Sequence, residues 1–325
     1  MKKELVKSLL GTCIVVLFVF AAIWYIVTNH NDFAKLTITE PWYILPAILA
    51  IVINIYASGI VIDLAIEPHG VKLTRKEAFG LASITRFSNQ FSPSYVGATI
   101  RAAYMKRAHG VSYAKFSSSF IISNLLQFMI SGLFTIATFV ALDPSSNNNK
   151  LLYLVIGAVV VFIAILYMPL KRLLHLTNER ASRSGKGGKF FERLHTILEG
   201  YSTVRSHPRL LSRTISWMVV IMLSFSMSYY LLYATLGFHI SVVGAFFIAA
   251  LSGWSILIAI TPGNLGIREG LMVVAAQVAG VPISVTLLVA ILLRILMFVV
   301  SGALSAYYSP RLLHTSIFKL NNNKS

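Results

Sequence analysis

Charge is scarce in this sequence, and cysteine is nearly absent. Only 12% of its 325 residues are charged, whereas 56% are hydrophobic. A soluble globular domain usually has about a quarter of its residues charged. The single cysteine, Cys13, excludes an internal disulfide and a multi-cysteine metal site. The composition therefore excludes an ordinary soluble domain and predicts a protein whose solvent is the lipid bilayer.

Long uncharged runs take up much of the chain. Five stretches of twenty or more residues contain no Asp, Glu, Lys or Arg: 8–27, 41–62, 116–142, 151–170 and 214–267. A sixth apolar region, 270–310, is interrupted only by Arg294. About twenty apolar residues span the hydrocarbon core as a helix, so the fifth stretch is long enough for more than one element. The first stretch is too long for the core of a signal peptide and lacks a cleavage-site pattern, which predicts a retained span.

Lys and Arg are distributed unevenly along the chain. Four segments, 1–7, 65–115, 170–213 and 309–325, hold 24 of the 28 Lys and Arg residues, and they share one side of the membrane if the amino terminus is cytoplasmic. This positive-inside bias predicts a multi-pass cell membrane protein with both termini in the cytoplasm. We expect the basic segment 171–213 to contact anionic lipid headgroups rather than nucleic acid, because it lacks interleaved aromatic residues that stack on bases.

Two polar breaks in the apolar pattern resemble each other. The segments SPSYVGA, at 92–98, and TPGNLGI, at 261–267, share a hydroxyl, a proline, a branched apolar residue and a glycine at an offset of 169 residues. The same offset places the two apolar stretches that flank the first break over apolar stretches around the second. The pattern predicts an internal repeat within one membrane domain, with units of about 1–142 and 151–310. An odd number of crossings in the first unit would give the two units opposite orientations.

The predicted fold is an all-α polytopic integral membrane protein, an inverted repeat with six full spans plus two broken or re-entrant helical hairpins. In such folds the substrate site forms where the broken helices meet, which predicts a polar cavity between the breaks. An alternative is that 77–108 lie along the inner surface as amphipathic helices and that 240–281 form two ordinary spans. The residues expected to form the breaks are Pro93, Gly97, Pro262, Gly263, Gly266 and Pro282.

Five polar residues near the breaks are candidates for a substrate site. Arg294 lies in an otherwise uncharged helix, where burying an arginine costs about 2.5–3.5 kcal/mol, and Glu269 is its obvious partner. The pair could simply fix the hairpin, or Arg294 could bind a substrate phosphate through its two-pronged donor group. Arg86 and Arg101 flank the first break with Asn89 between them, and these donors suit an anionic or sugar-bearing headgroup. For Arg101, an interfacial anchor reaching lipid phosphates is an equal alternative.

Patterns typical of enzymes are missing from the sequence. The histidines lack metal-ligand spacing, and neither a phosphate-binding G-x-x-x-x-G-K nor a nucleophile G-x-S-x-G occurs. With 11 acidic residues in the whole chain, acid–base chemistry would rest on very few groups. We therefore expect no metal and no cofactor, and an enzymatic activity stays open but disfavoured.

The chain resembles the flippase-like family, which is the membrane domain of the bacterial lysylphosphatidylglycerol synthases and also occurs as stand-alone proteins. The second break and the last apolar region match that family's pattern P-G-G-x-G-x-x-E with a downstream arginine at Pro262, Gly263, Gly266, Glu269 and Arg294. Asn264 replaces the second glycine, and we count it among the substrate-site candidates. The family's amino-terminal pattern is matched at Asn89, Pro93, Gly97 and Arg101, but not at Ser94, Tyr95 and Ala98.

This resemblance implies a membrane domain that moves an anionic, aminoacylated or polyprenyl-phosphate lipid between leaflets. Only residues 311–325 follow the last apolar region, so we expect the soluble transferase domain of the bifunctional relatives to be absent. An alternative is a membrane component of a phosphatidylglycerol lysyltransferase, contributing to lysylphosphatidylglycerol synthesis and cationic peptide resistance together with a separate transferase. A third is a purely structural membrane protein.

Overall fold

The computed structural model describes residues 37–91, 96–142, 207–255 and 263–322, together with residue 261 and a few isolated positions. Within these ranges the chain is helical and forms no strand, which confirms the predicted all-α class. The predicted spans 8–27 and 151–170, and most of the basic segment 171–213, lie outside the described residues.

The described ranges contain eight α-helices. They are α1 (Ile44–Ile66), α2 (Arg75–Phe91), α3 (Val96–His109), α4 (Tyr113–Leu142), α5 (Pro208–Thr235), α6 (Val242–Gly253), α7 (Ile267–Val278) and α8 (Ile283–Asn322). Four of them, α1, α4, α5 and α8, are long and apolar enough to cross a membrane. These features are those of a polytopic membrane protein, and the count of six spans stays a prediction.

Local capping signals set several helix ends. Pro208 occupies the first turn of α5, where the missing N–H is not needed. At the start of α6 the Ser241 hydroxyl accepts from Gly244 N at 3.0 Å, and at the start of α2 Thr74 and Glu77 cap each other's backbone N–H at 3.3 Å. These residues define where α2, α5 and α6 begin, which the apolar pattern of the sequence alone does not.

Helices α1 and α5 form an antiparallel pair at the centre of the molecule. The backbone N–H of Thr39, just before α1, donates to Thr235 O at the end of α5 at 3.2 Å. Halfway along, Asn54 Nδ2 donates to Ile221 O at 2.8 Å. At the other end Leu64 packs in one cluster with Leu210. The two helices correspond under the 169-residue offset, so each contacts its own predicted counterpart.

The outer helices pack reciprocally between the halves. Phe87 of α2 lies against Gly302 of α8, where a Cβ would come within 3.0 Å of the ring. Trp254, just after α6, lies against Gly132 of α4, where a Cβ would be 3.6 Å from the ring. The two aromatics, and the two glycines, occupy nearly equivalent places in the halves. The complete repeat units 1–142 and 151–310 stay a prediction, because each includes residues that the structure does not describe.

Two pairs of shorter helices, α2 with α3 and α6 with α7, flank the predicted breaks. α6 and α7 have 12 residues each, which reach about 18 Å, well short of the roughly 30 Å hydrocarbon core. This length argues against two ordinary spans in 240–281. α2 packs against both α1 and α8 and buries Ala78, Leu81 and Thr85. One face of α2 is therefore buried within the helix bundle.

Candidate functional site

A cavity of about 350 Å³ lies between the two halves. Its walls come from helices α1 to α6 and from the turn and first residues of α7. Along α1 the lining runs from Asn54 to Ile66, and along α4 from Phe116 to Ser131. The cavity therefore occupies the part of the bundle where α1 ends and α4 begins.

Arg86 is held in the cavity wall by a network that joins the halves. Its Nη2 donates to Asn54 Oδ1, and the amide nitrogen of Asn54 donates to Ile221 O at 2.8 Å and to Ser224 Oγ at 3.2 Å. Asn54 is almost fully buried, so this amide fixes both the helix contact and the direction of the guanidinium. Asn54 was not among the predicted site residues, although an amide in the middle of an apolar stretch is a signal for a buried polar contact.

Arg101 reaches the same cavity from α3. Its guanidinium carbon lies 5.1 Å from the centre of the Phe120 ring, a cation–π contact. Its Nε is buried and has no hydrogen-bond partner. Asn89 also lines the cavity, and its Oδ1 accepts from Gly97 N at 2.9 Å at the start of α3. The structure thus brings Arg86, Asn89 and Arg101 together on one side of the cavity.

From the second half, Asn264 and Arg268 line the cavity. The side chain of Arg268 is 15% exposed, and its Nε lies 3.7 Å from Glu269 Oε1, beyond hydrogen-bond distance. Neither Nε nor Nη2 of Arg268 has a hydrogen-bond partner. Arg268 was not among the predicted site residues, because the direction of a side chain in the first turn of α7 depends on how that helix packs.

Glu269 and Arg294 do not line the cavity and instead bind each other beside it. Arg294 donates to Glu269 Oε1 through Nε at 2.8 Å and Nη2 at 2.6 Å, and also to Gly263 O at 3.3 Å. The other carboxylate oxygen accepts from Gly266 N at 2.7 Å and so caps α7. Both oxygens of Glu269 are engaged, so this ion pair, referred to below as the tie, links α8 to the second hairpin.

Glycines allow the backbone to turn at the second break and to pack closely at the first. Gly263 and Gly266 have φ of 56° and 86°, in the region that favours glycine. A Cβ at Gly97 would come within 2.5 Å of Thr85 Cγ2 and 2.7 Å of Asn89 Oδ1. Pro282 directly precedes α8, whereas Pro93 and Pro262 lie outside the described residues. These features let the chain fold back beside the cavity from both halves.

The cavity wall is cationic. Arg86, Arg101 and Arg268 line it, and among the described lining residues there is no Asp, Glu, Lys or His. These three guanidiniums carry the same charge and therefore repel one another within one cavity. Hydroxyl and amide groups complete the polar surface along one face of α4, at Ser119, Ser123, Asn124, Gln127 and Ser131. Such a surface can bind a group that carries negative charge and several hydrogen-bonding atoms.

The fold and the cavity together define a polytopic helical membrane protein with an arginine-lined cavity between its halves. The family model described as "Lysylphosphatidylglycerol synthase TM region" matches residues 6–305. The chain therefore belongs to this family, as the resemblance in its breaks indicated. No curated protein matches the sequence.

Proposed function

We propose that this protein translocates a phosphate-bearing lipid between the leaflets of the cell membrane. The observation that carries the proposal is the cavity between the halves, whose described lining has three arginines and no carboxylate. Burying charged side chains within a membrane domain is unfavourable unless they meet a partner. A lipid phosphate offers that partner, because guanidinium donates two parallel hydrogen bonds to phosphate oxygens.

We also propose how the protein is oriented in the membrane. With the amino terminus in the cytoplasm, α1 would end and α4 would begin on the cytoplasmic side, so the cavity would lie toward the inner leaflet. The headgroup would enter among the arginines and the polar face of α4, while the acyl chains stayed in the bilayer. The basic segment 171–213 would contact anionic headgroups at the same surface, and the inverted repeat would supply the opposite, outward-facing arrangement.

Translocation can be tested in liposomes that contain fluorescent phospholipids, with dithionite added outside to bleach the outer leaflet. We expect wild-type protein to expose the inner-leaflet pool to bleaching. Arg101→Gln and Arg268→Gln should each slow the bleaching of the inner-leaflet pool roughly tenfold, since a hydrogen bond to a charged group contributes about 1.5–3 kcal/mol. Bleaching kinetics, normalised to the amount of folded protein, measure the effect.

Arg213→Gln is the matched control. This arginine is half exposed and lies 3.8 Å from Glu67, away from the described cavity lining, so its loss should leave bleaching unchanged. If no headgroup shows protein-dependent bleaching, the translocase proposal is wrong. If bleaching occurs but Arg101→Gln and Arg268→Gln have no effect, the lipid does not pass through this cavity.

A second candidate is a membrane component of phosphatidylglycerol lysyltransferase that acts with a separate soluble transferase. The description of the family favours it, and the basic segment 171–213 could bind an acidic partner or its anionic substrate. In vesicles supplied with a transferase and its aminoacyl donor, this candidate requires that lysylphosphatidylglycerol forms only when the chain is present. Formation without the chain would exclude it.

A further inference from the structure

The two ends of the central α1–α5 pair differ in how the halves meet. Along α1 the cavity lining begins at Asn54, in the middle of the helix, and continues to Ile66 at its end. Toward the start of α1 the halves are instead in direct contact. There Phe139 of α4 and Phe247 of α6 lie with their ring centres 5.7 Å apart. A group that leaves the cavity toward this end must first separate the halves.

Backbone contacts join the halves where α1 begins and α5 ends. The N–H groups of Thr39 and Glu40 both donate to Thr235 O, at 3.2 and 3.1 Å. Gly237, with φ of 75°, lies so close to the same segment that a Cβ would be 2.7 Å from Thr39 Oγ1. The loop after α5 is therefore seated on the segment that precedes α1, and this seat is polar.

One ion pair joins the halves at the same seat. His239 Nε2 lies 3.1 Å from Glu40 Oε1, and the two side chains are 58% and 24% exposed, so water reaches them. The described helices and loops that lead to this end belong to the stretches 36–62, 116–142, 214–267 and 270–293. Together these stretches contain one carboxylate, Glu40, one histidine, His239, and no Lys or Arg. Glu40 is therefore the charged group that faces His239 in the described structure.

We propose that the pair of Glu40 with His239 is a pH-sensitive latch that holds this end of the molecule closed. The proposal rests on the translocase function and on the orientation given above, which places the latch outside the cell. Histidine is the side chain whose charge ordinarily changes between about pH 5 and 8. Below that range the latch joins opposite charges across the halves, and above it a neutral ring and a carboxylate share only a hydrogen bond. External acid therefore keeps the outer end closed, and a rise in external pH favours its opening.

The ion pair at the other end of the same two helices has no such pH dependence. Arg213 Nη1 lies 3.8 Å from Glu67 Oε2, beyond hydrogen-bond distance, and an arginine keeps its charge throughout the physiological range. The titratable member is thus found in the pair on the side where the surroundings, rather than the cell, set the pH.

Opening of the outer end can be measured by double electron–electron resonance between two spin labels in lipid nanodiscs. In a Cys13→Ser background, Trp42→Cys and Val242→Cys place the labels on opposite halves at this end, at positions that are 63% and 54% exposed. We expect a longer-distance population to grow about threefold between about pH 5.5 and about pH 8, as a partly exposed ion pair allows. His239→Gln, neutral at both pH values, should show the longer population at both. His239→Arg, charged at both, should suppress it at both.

His207→Gln is the matched control, because it makes the same change at an exposed position where α5 begins. It should keep the wild-type response to pH, whereas Glu40→Gln should lose that response as His239→Gln does. A wild-type distance distribution that is the same at both pH values would overturn the latch. A response to pH that persists in His239→Gln would also overturn it.

The latch and the translocase proposal fail in different ways. In the liposome assay at about pH 8, His239→Arg should slow bleaching of the inner-leaflet pool about threefold relative to His239→Gln. If the labels separate with pH as expected but no lipid is translocated, the latch stands and the translocase proposal fails. If lipid is translocated but the labels do not respond to pH, the latch is wrong and the translocase proposal is unaffected.

Discussion

At the scale of single residues, two arginines of the second half have different surroundings. Arg294 binds Glu269 and lies beside the cavity, whereas Arg268 lines the cavity with buried donors unpaired. Sequence reasoning identified Arg294 because it is the one charge in an apolar region, and burial requires such a charge to have a partner. It could not identify Arg268, since the direction of a side chain at the first turn of α7 depends on how that helix packs.

The tie between Glu269 and Arg294 should be important for stability. Glu269→Gln leaves a buried arginine without a counter-charge, which typically costs about 3–5 kcal/mol. Unfolding in increasing SDS, followed by far-UV circular dichroism, measures the change. Glu67→Gln is the control, because the pair of Glu67 with Arg213 is largely exposed at 3.8 Å and should contribute less than about 1 kcal/mol. Equal losses in both variants would contradict the structural role of the tie.

At the scale of helices, the repeat in the sequence predicts which segments correspond, and the apolar segments that it pairs within the described residues are helices. The 169-residue offset relates α1 to α5 and α4 to α8 through apolar length and two similar breaks. It could not predict the contacts that join the halves. The fit of Phe87 onto Gly302 depends on the rotation of two helices about their axes, and an aromatic or a glycine in an apolar run carries no signal for that rotation.

The contact between α4 and α6 can be tested by a disulfide. A Cβ at Gly253 would lie 4.0 Å from Ser131 Cβ, within the 3.5–4.5 Å range of disulfides. In a Cys13→Ser background, Ser131→Cys with Gly253→Cys should therefore cross-link under mild oxidation, detected by reversible alkylation. Ser131→Cys with Gly270→Cys is the control and should not cross-link, because no heavy atom lies within 4 Å of a Cβ at Gly270.

At the scale of the whole molecule, composition and charge predicted a polytopic membrane protein, and the helices and the family match agree with it. The predicted cavity between the breaks has a counterpart in the structure, with Arg86, Asn89, Arg101 and Asn264 in its wall. Its connection through Asn54 could not be predicted. An amide that binds a carbonyl on the antiparallel partner helix becomes meaningful only when the register of α1 against α5 is known.

The proposed orientation predicts which loops face the cytoplasm. In a Cys13→Ser background, Lys72→Cys lies between α1 and α2 and Val242→Cys at the start of α6, and both positions are exposed. A membrane-impermeant maleimide should label Val242→Cys in intact cells and Lys72→Cys only in inside-out vesicles. The reverse pattern would place the cavity toward the outer leaflet and invert the proposed topology.

The central claim is that a lipid passes between the two halves, and the Ser131→Cys with Gly253→Cys protein tests it most directly. The cross-link joins α4 to α6 where they are already in contact, since Ser131 Oγ donates to Ala250 O at 2.8 Å. It therefore holds the two halves in the described arrangement, and translocation of a fluorescent phospholipid in liposomes should stop on oxidation and return on reduction. The reduced protein is its own control for folding. If the fully cross-linked protein translocates lipid at the rate of the reduced protein, the lipid takes another path and the account is contradicted.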